Sequence, residues 1–263
     1  MTRLENKVAL VTGALGGIGT AVVREFLADG AKVILMDLDA DAVQAAVEAR
    51  RAEGHAVAGA AADLRDFDAA KAAVDRAAAE LGPVDIVVAN AFTGGPSTTL
   101  DKTTPGAFRE ELADNACVAF NAVAAVVDGM KARGGGAIVV VGSVNGLATF
   151  GQPGYSAAKA ALISYTRTMA TEYGPHNIRA NIVCPGTVRT PAWDERIAKK
   201  PDVLDGLTKW YPLGRVARPE DIARPIAFLA SDAAAFISGA VLPVDGGLMA
   251  GNHRMARELT VED

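Results

Sequence analysis

Apolar runs of strand length alternate with helical patterns along nearly the whole chain, and this alternation limits the available folds more than any other feature. The runs fall at 8–11, 33–37, 56–61, 86–89, 137–141, 179–183 and 240–244. Helical patterns lie between them at 21–27, 39–53, 69–81, 105–130, 154–173 and 219–230. Strands that are apolar almost throughout must be covered on both faces, which is the condition of a parallel sheet. Alternation with right-handed crossovers then predicts an α/β fold, a doubly wound parallel β-sheet flanked by helices on both faces. Pro219 with Glu220 and Asp221 suits the first turn of the last of these helices, and Asp39 suits a cap before the 39–53 pattern.

With 263 residues and 50% hydrophobic content, the chain is expected to form a single domain over 1–263. No internal repeat is present. The segment 187–215 is long, mixed in polarity and carries Trp193, Trp210 and Tyr211, which reads as a lid. The charged tail 252–263 is expected either to be disordered or to pack on a neighbouring subunit. A net charge of −5 gives no electrostatic footprint for nucleic acid. No uninterrupted apolar run approaches the roughly 20 residues of a membrane span. Residues 1–7 run straight into the first strand and leave no room for a signal peptide, so a cytoplasmic location is expected. Cys117 and Cys184 read as reduced core thiols, and His55, His176 and His253 lack metal-ligand spacing.

The stretch 12–19, Thr-Gly-Ala-Leu-Gly-Gly-Ile-Gly, follows the first strand and opens the first helix. Glycines there permit a tight turn and let backbone N–H groups approach a pyrophosphate at the positive end of the helix. Gly13, Leu15, Gly16, Ile18 and Gly19 are the contacts this turn offers to a dinucleotide. Asp37, ending the second strand, suits the adenosine ribose hydroxyls and repels a 2′-phosphate. Leu15 and Leu38 flank that ribose and give no basic partner for an extra phosphate, so NAD is expected rather than NADP. Asp63 and Leu64 suit the adenine, with an ordinary loop residue as the competing reading of Asp63. Asn90 and Ala91 end the fourth strand, beside the cofactor.

Tyr155 and Lys159 stand four apart at the start of a helical pattern, on one face and one turn apart, with Ser143 upstream. An ammonium beside a phenol stabilises the phenolate, so the Tyr155 pKa is expected to fall from about 10 toward working pH. Such a group exchanges protons with an alcohol or carbonyl.

Together these motifs resemble the short-chain dehydrogenase/reductase family over about 7–248. The resemblance rests on the 12–19 turn, Asn115, Ser143, Tyr155 with Lys159, the run Pro185-Gly186-Thr187-Val188-Arg189-Thr190 and the stretch Val244-Asp245-Gly246-Gly247. It implies a Rossmann-type fold in which Tyr155 is the general acid/base and Ser143 orients the substrate oxygen. Lys159 would bind the nicotinamide ribose and lower the Tyr155 pKa. Asn115 would hold a water linking Lys159 to solvent, although an Asn in such a helix is also often a backbone-bonding kink. Pro185, Gly186, Val188 and Thr190 would line the carboxamide side of the nicotinamide. The resemblance further implies a homo-oligomer, commonly a tetramer, paired through the helices carrying Asn115 and Tyr155. Ala157, Ala158, Ala160 and Ala161 permit close helix approach.

One departure stands out. The family's usual Asn-Asn-Ala-Gly is Ala89-Asn90-Ala91-Phe92, so Ala89 cannot make a strand-steadying hydrogen bond. Phe92 either bends the 93–96 loop, lines the substrate pocket or packs in the core. The expected substrate surroundings are Phe92, Asn145, Leu147, Phe150, Gln152 and Thr187, with Trp193, Trp210 or Tyr211 from the lid. This mostly apolar set suits a small or cyclic, mainly uncharged alcohol or ketone. Arg189, the nearby cation, is expected to face solvent. Two alternatives stay open: a 3-oxoacyl-carrier-protein reductase, disfavoured by Asp37 and the acidic chain, and a catalytically inactive dinucleotide sensor.

Overall fold

Seven strands, β1 (Val8–Thr12), β2 (Lys32–Asp37), β3 (Val57–Ala61), β4 (Ile86–Ala89), β5 (Gly136–Val141), β6 (Ile178–Pro185) and β7 (Val241–Val244), pair in parallel throughout. They form one sheet in the order β3-β2-β1-β4-β5-β6-β7 in the computed structural model, which describes residues 2–92 and 98–260. The winding reverses between β1 and β4, so the crevice at the carboxyl ends of those strands is the place for a ligand.

The sheet is doubly wound because its strands carry two apolar faces. Alternate residues go to opposite layers: Leu10, Ile34 and Met36 to one core, Ala9, Val11, Val33 and Leu35 to the other. Helices α1 (Gly17–Ala28), α2 (Ala40–Ala52) and α10 (Pro219–Ala230) bury their apolar stripes in the second layer. The first layer takes α3 (Phe67–Leu81), the run of α4 (Pro105–Leu112), α5 (Val118–Ala124) and α6 (Val127–Arg133), and α7 (Pro153–Glu172). Each fully buried Val, Leu or Ile contributes about 1.5–3 kcal/mol against exposure, which makes a one-residue slip of any strand costly. The Asp39 side chain does cap α2, accepting the Ala42 N–H at 3.0 Å.

One expectation needs correction. Cys184 is buried, but Cys117 is exposed on the outer face of the α4–α5 region. The stretch Pro105–Arg133 is helical enough, long enough and apolar enough (mean hydropathy 1.2 over its best window) to pass for a membrane span by length and composition. Its inner side chains Val118, Ala119, Ala122 and Val123 are buried in the domain, which accounts for their apolar character. The tail, within the described residues, forms α11 (His253–Thr260). Arg254 and Arg257 of α11 face Lys209, Tyr211 and Pro212 across a hollow of about 530 Å³, so this helix lies beside the 187–215 segment of its own chain. The 187–215 segment itself holds two short helices, α8 (Asp194–Lys199) and α9 (Asp205–Thr208).

Candidate active site

The glycine turn is built by backbone proximity. Gly13 has φ 61°, and a Cβ on Gly19 would lie 1.9 Å from the Gly13 carbonyl oxygen, so no side chain fits there. Gly16 caps α1 without any side-chain hydrogen bond, and the first turn holds no acidic residue. The positive helix end is thus left to an incoming anion. Asp37 closes the far side, its carboxylate accepting the N–H groups of Leu15 and Leu38, each at 2.9 Å. Ile18 packs against the second core layer behind the turn.

Asn90 supports the turn as well as ending β4. Its side-chain amide donates to the carbonyls of Thr12 (2.9 Å) and Gly13 (3.1 Å). The Thr12 hydroxyl accepts the N–H groups of Asn90 and Ala91, both at 3.0 Å. Thr12 was not singled out from the sequence, although it is the buried hub between β1 and β4. The side of the crevice is formed by the chain after β6: a Cβ on Gly17 would stand 2.6 Å from Thr190 Cβ. Val188 bridges to Ala217, and Gly186 donates to the Val244 carbonyl. The Thr187 N–H donates to the Tyr211 hydroxyl at 2.7 Å, and Tyr211 is itself buried.

At the expected adenine end, Asp63 pairs with Arg65, which donates from both Nε and Nη2. This bond holds the Asp63 carboxyl below its ordinary pKa. Leu64 is buried, and its carbonyl accepts the Asn121 side-chain N–H at 2.7 Å.

The chemical centre lies where β5 ends and α7 begins. Ser143 is buried and follows β5 by two residues; its hydroxyl accepts the Asn145 N–H at 3.1 Å and lies in hydrogen-bonding reach of the Tyr155 phenol. Lys159, one turn along α7, is 3% exposed and donates to the Val141 carbonyl at 3.2 Å. Its ammonium stands 5.4 Å from the Tyr155 ring centroid and 5.1 Å from that of Phe92. Phe92 itself is 51% exposed and tilts against Tyr155 at 6.2 Å between centroids, so it forms an aromatic wall beside the pair. The adjoining 93–96 loop, which Phe92 was expected to bend, lies outside the described residues.

The pKa directions overturn one expectation. Burial is the largest influence on Tyr155 and pushes its phenol up; the Ser143 hydrogen bond pulls it down, and the nearby Glu111 carboxylate pushes it up again. Lys159 sits over the ring, with its proton donated to Val141. The predicted fall of the phenol beside Lys159 is therefore not produced by the protein groups in this geometry. Burial also drives Lys159 down to about 8. Cys184, beneath the site and close to Ser143, is pushed up to about 11 by burial and stays a thiol.

Asn115 sits in a single π-helical turn, Ala113–Cys117, between α4 and α5. Its amide donates back to the Glu111 carbonyl at 3.0 Å, and its buried Oδ1 meets no donor among the described residues. π-turns inside helices gather at functional sites. Glu111 belongs to the same neighbourhood and was missed from the sequence; a glutamate beside Glu110 reads as a solvated charge.

Other expected lining residues are more dispersed. Asn145 donates to Ser156 and Gly151, Gln152 takes a left-handed conformation at φ 54°, and Leu147 and Phe150 are exposed. The ring contacts of Trp193 and Trp210 among the described residues are with Arg196, Lys209 and Arg254. Arg189 pairs with Asp194 at 2.8 Å.

Known proteins share the sequence and fold of this chain over nearly its whole length. A family model described as enoyl-(acyl carrier protein) reductase, of the short-chain dehydrogenase type, matches residues 13–249. The chain belongs to the short-chain dehydrogenase/reductase family. A cis-4-hydroxycyclohexanecarboxylate dehydrogenase of Sinomonas cyclohexanicum is 41% identical over 247 residues, 93% of this chain and 97% of the relative. A 3alpha-hydroxysteroid dehydrogenase of Mediterraneibacter gnavus is 38% identical over 249 residues, 92% and 97%. A solved oxidoreductase of this family from Burkholderia thailandensis is 50% identical with a TM-score of 0.91, covering 98% of each chain. Membership in the short-chain dehydrogenase/reductase family makes the protein an oxidoreductase with a nicotinamide cofactor, and the uncapped glycine turn with its closing carboxylate fits that group.

Proposed function

We propose that this short-chain dehydrogenase/reductase interconverts a secondary alcohol and a ketone, on a small or cyclic and mainly uncharged substrate, with NAD. The observation that carries the reading is the Ser143 hydroxyl within reach of the Tyr155 phenol, with the Lys159 ammonium behind the ring. The pair lies in the crevice bordered by the glycine turn and the chain after β6. When bound, NAD⁺ supplies the acceptor for the hydride that leaves the carbinol carbon.

The chain's own residues do the rest. Ser143 Oγ positions the substrate oxygen, and Tyr155 Oη exchanges its proton. Burial keeps the Tyr155 phenol protonated, which prepares it to donate to a ketone; alcohol oxidation needs added positive charge to release that proton. Lys159 and Asp37 provide the ribose contacts. Asp37 would reject a 2′-phosphate by charge, which supports NAD over NADP. Arg189 is taken up by Asp194, which supports an uncharged substrate over an anionic one. The two relatives are named for ring alcohols, which agrees with the choice of a cyclic substrate.

A homo-oligomer is part of the proposal. The outer face of α5 and α7 leaves Phe120 and the small residues Ala160 and Ala161 exposed around an apolar hollow. The deciding assay is a panel of cyclic secondary alcohols and their ketones with NAD(H), run on the wild type and on Tyr155→Phe. The wild type turns over at least one ring alcohol, while Tyr155→Phe loses turnover and binds NAD as before. Loss of NAD binding in that variant, or an inert wild type, would end the reading.

A further inference from the structure

Glu111 stands one turn before Asn115 and directly against the start of α7. Its Oε2 lies 3.4 Å from the Asn115 side-chain nitrogen, and its carbonyl accepts from the same amide at 3.0 Å. A Cβ on Gly154, the residue before Tyr155, would come within 2.9 Å of Glu111 Cβ and 3.1 Å of Cγ. Gly154 therefore lets the Glu111 stem press against the turn that carries the phenol. Asn115 and Lys159 are buried at 1% and 3% exposure, whereas Glu111 is only half-buried. Asn115 and Lys159 are thus the buried members of this group, and Tyr155 and Glu111 are its partly exposed ones.

The charges around Glu111 are few. Lys159 and Tyr155 interact with it from α7, and Asp114 interacts from its own helix region. Asp114 is 3.7 Å from Arg65, which offsets part of its charge. Burial and Asp114 raise the Glu111 pKa, while Lys159 lowers it. Burial and Asp114 outweigh Lys159, so this carboxyl holds a proton more readily than an ordinary surface glutamate.

We propose that Glu111 is a positioning residue at the outer end of the proton path, receiving the proton that leaves the Tyr155–Lys159 pair by way of the Asn115 site. This rests on the dehydrogenase reading above. Oxidation of one alcohol sends a hydride to NAD⁺ and one proton from the hydroxyl to the Tyr155 phenolate. Lys159 and the Asn115 site relay one proton outward, and a Glu111 carboxylate oxygen binds it. Release to bulk water regenerates the carboxylate, and ketone reduction runs the same transfers inward.

The test uses full-length Glu111→Gln and Glu111→Ala. Glu111→Gln keeps an amide in place of the carboxylate, so folding and NAD affinity are expected within about twofold of wild type. Its kcat for alcohol oxidation falls about 100-fold, the lower end of what a placed proton acceptor contributes, and the acid limb of the pH profile moves. In Glu111→Ala, acetate at high concentration restores turnover and chloride does not, a rescue that a purely structural role would not show. Independently of turnover, NMR titration of ¹³C-labelled tyrosine and ¹⁵N-labelled lysine shows lower Tyr155 and Lys159 pKa values in Glu111→Gln, because a neighbouring negative charge is gone. Unchanged kcat and pH profile, absent acetate rescue, or unchanged titrations would each overturn the proposal while leaving the dehydrogenase reading intact. A wild type that oxidises no alcohol overturns both.

Discussion

The Leu15 N–H donates to Asp37 Oδ2 at 2.9 Å, joining the glycine turn to the end of β2. The other carboxylate oxygen holds Leu38. One side chain therefore fixes the loop, and on the proposed NAD reading the same negative charge would meet the ribose. Asp37→Ser keeps a hydroxyl acceptor but removes the charge. NAD affinity should fall about 10- to 100-fold, since a hydrogen bond to a charged group contributes about 1.5–3 kcal/mol. The ratio of kcat/KM for NADP over NAD should rise. Calorimetry and steady-state kinetics with both dinucleotides measure the two effects, and an unchanged cofactor ratio would remove Asp37 from the ribose site.

Gly19 faces a different constraint. A methyl group there would overlap the Gly13 carbonyl oxygen at 1.9 Å, and every close atom is backbone of Gly13 or Ala14, with no flexible side chain to yield. Gly19→Ala is expected to cost about 3 kcal/mol or more, roughly 10 °C in Tm for a chain of this size, and to abolish dinucleotide binding. Gly174→Ala is the control: a Cβ there meets nothing within 4 Å. Thermal denaturation of the two variants side by side checks the contrast. Equal Tm values would mean that the turn relaxes.

Lys159 carries a cost that its chemistry requires. Its pKa is pushed from the ordinary 10.5 down to about 8, which corresponds to about 3 kcal/mol against folding while the ammonium stays charged. Below pH 8 both folded and unfolded chains hold the proton and the full penalty applies. Between about 8 and 10.5 the folded state sheds it first, the unfolded chain binds more protons, and stability rises with pH. Lys159→Met should therefore be inactive but about 1–3 kcal/mol more stable than wild type at pH 7, with the gap closing by pH 10. Urea denaturation across that range gives the curve. A gap independent of pH would show that the ammonium is not the source.

Much of this was legible in the residues, and the gaps have physical reasons. The 8–11 and 33–37 runs could be read as parallel strands because two-sided burial leaves continuous apolar sequence. Ser143, Tyr155 and Lys159 gather because a strand end and a helical spacing of four fix their positions. The backbone-bonding reading of Asn115 was legible, but its form as a π-turn was not, since one altered hydrogen-bond register leaves no mark in side-chain periodicity. Glu111 was missed for a related reason: its role comes from the small Gly154 on another helix. The phenol pKa was read from charge spacing alone, and burial outweighed it. Cys117 looked like a core residue because an apolar helix face has the same pattern whether it meets a sheet or a second copy of the chain.

That last ambiguity can be resolved by experiment. Phe120 is 53% exposed and leans on Tyr165 at 5.6 Å between ring centroids, while Ala160 and Ala161 lie open on the neighbouring helix face. Together with the apolar hollow beside Tyr165, this exposed aromatic supports the proposed contact with a second copy. If two copies meet here about a two-fold axis, the same patch faces itself. A carboxylate at residue 120 would then enter an apolar interface twice, desolvated and facing its own like charge. Phe120→Glu should lower the molar mass found by light scattering from that of a dimer or tetramer toward the monomer, with the far-ultraviolet circular dichroism unchanged. Ala161→Glu should do the same from the facing helix. A wild type that runs as a monomer, or variants that keep its assembled mass, would place the interface elsewhere and return Phe120 to an ordinary exposed aromatic.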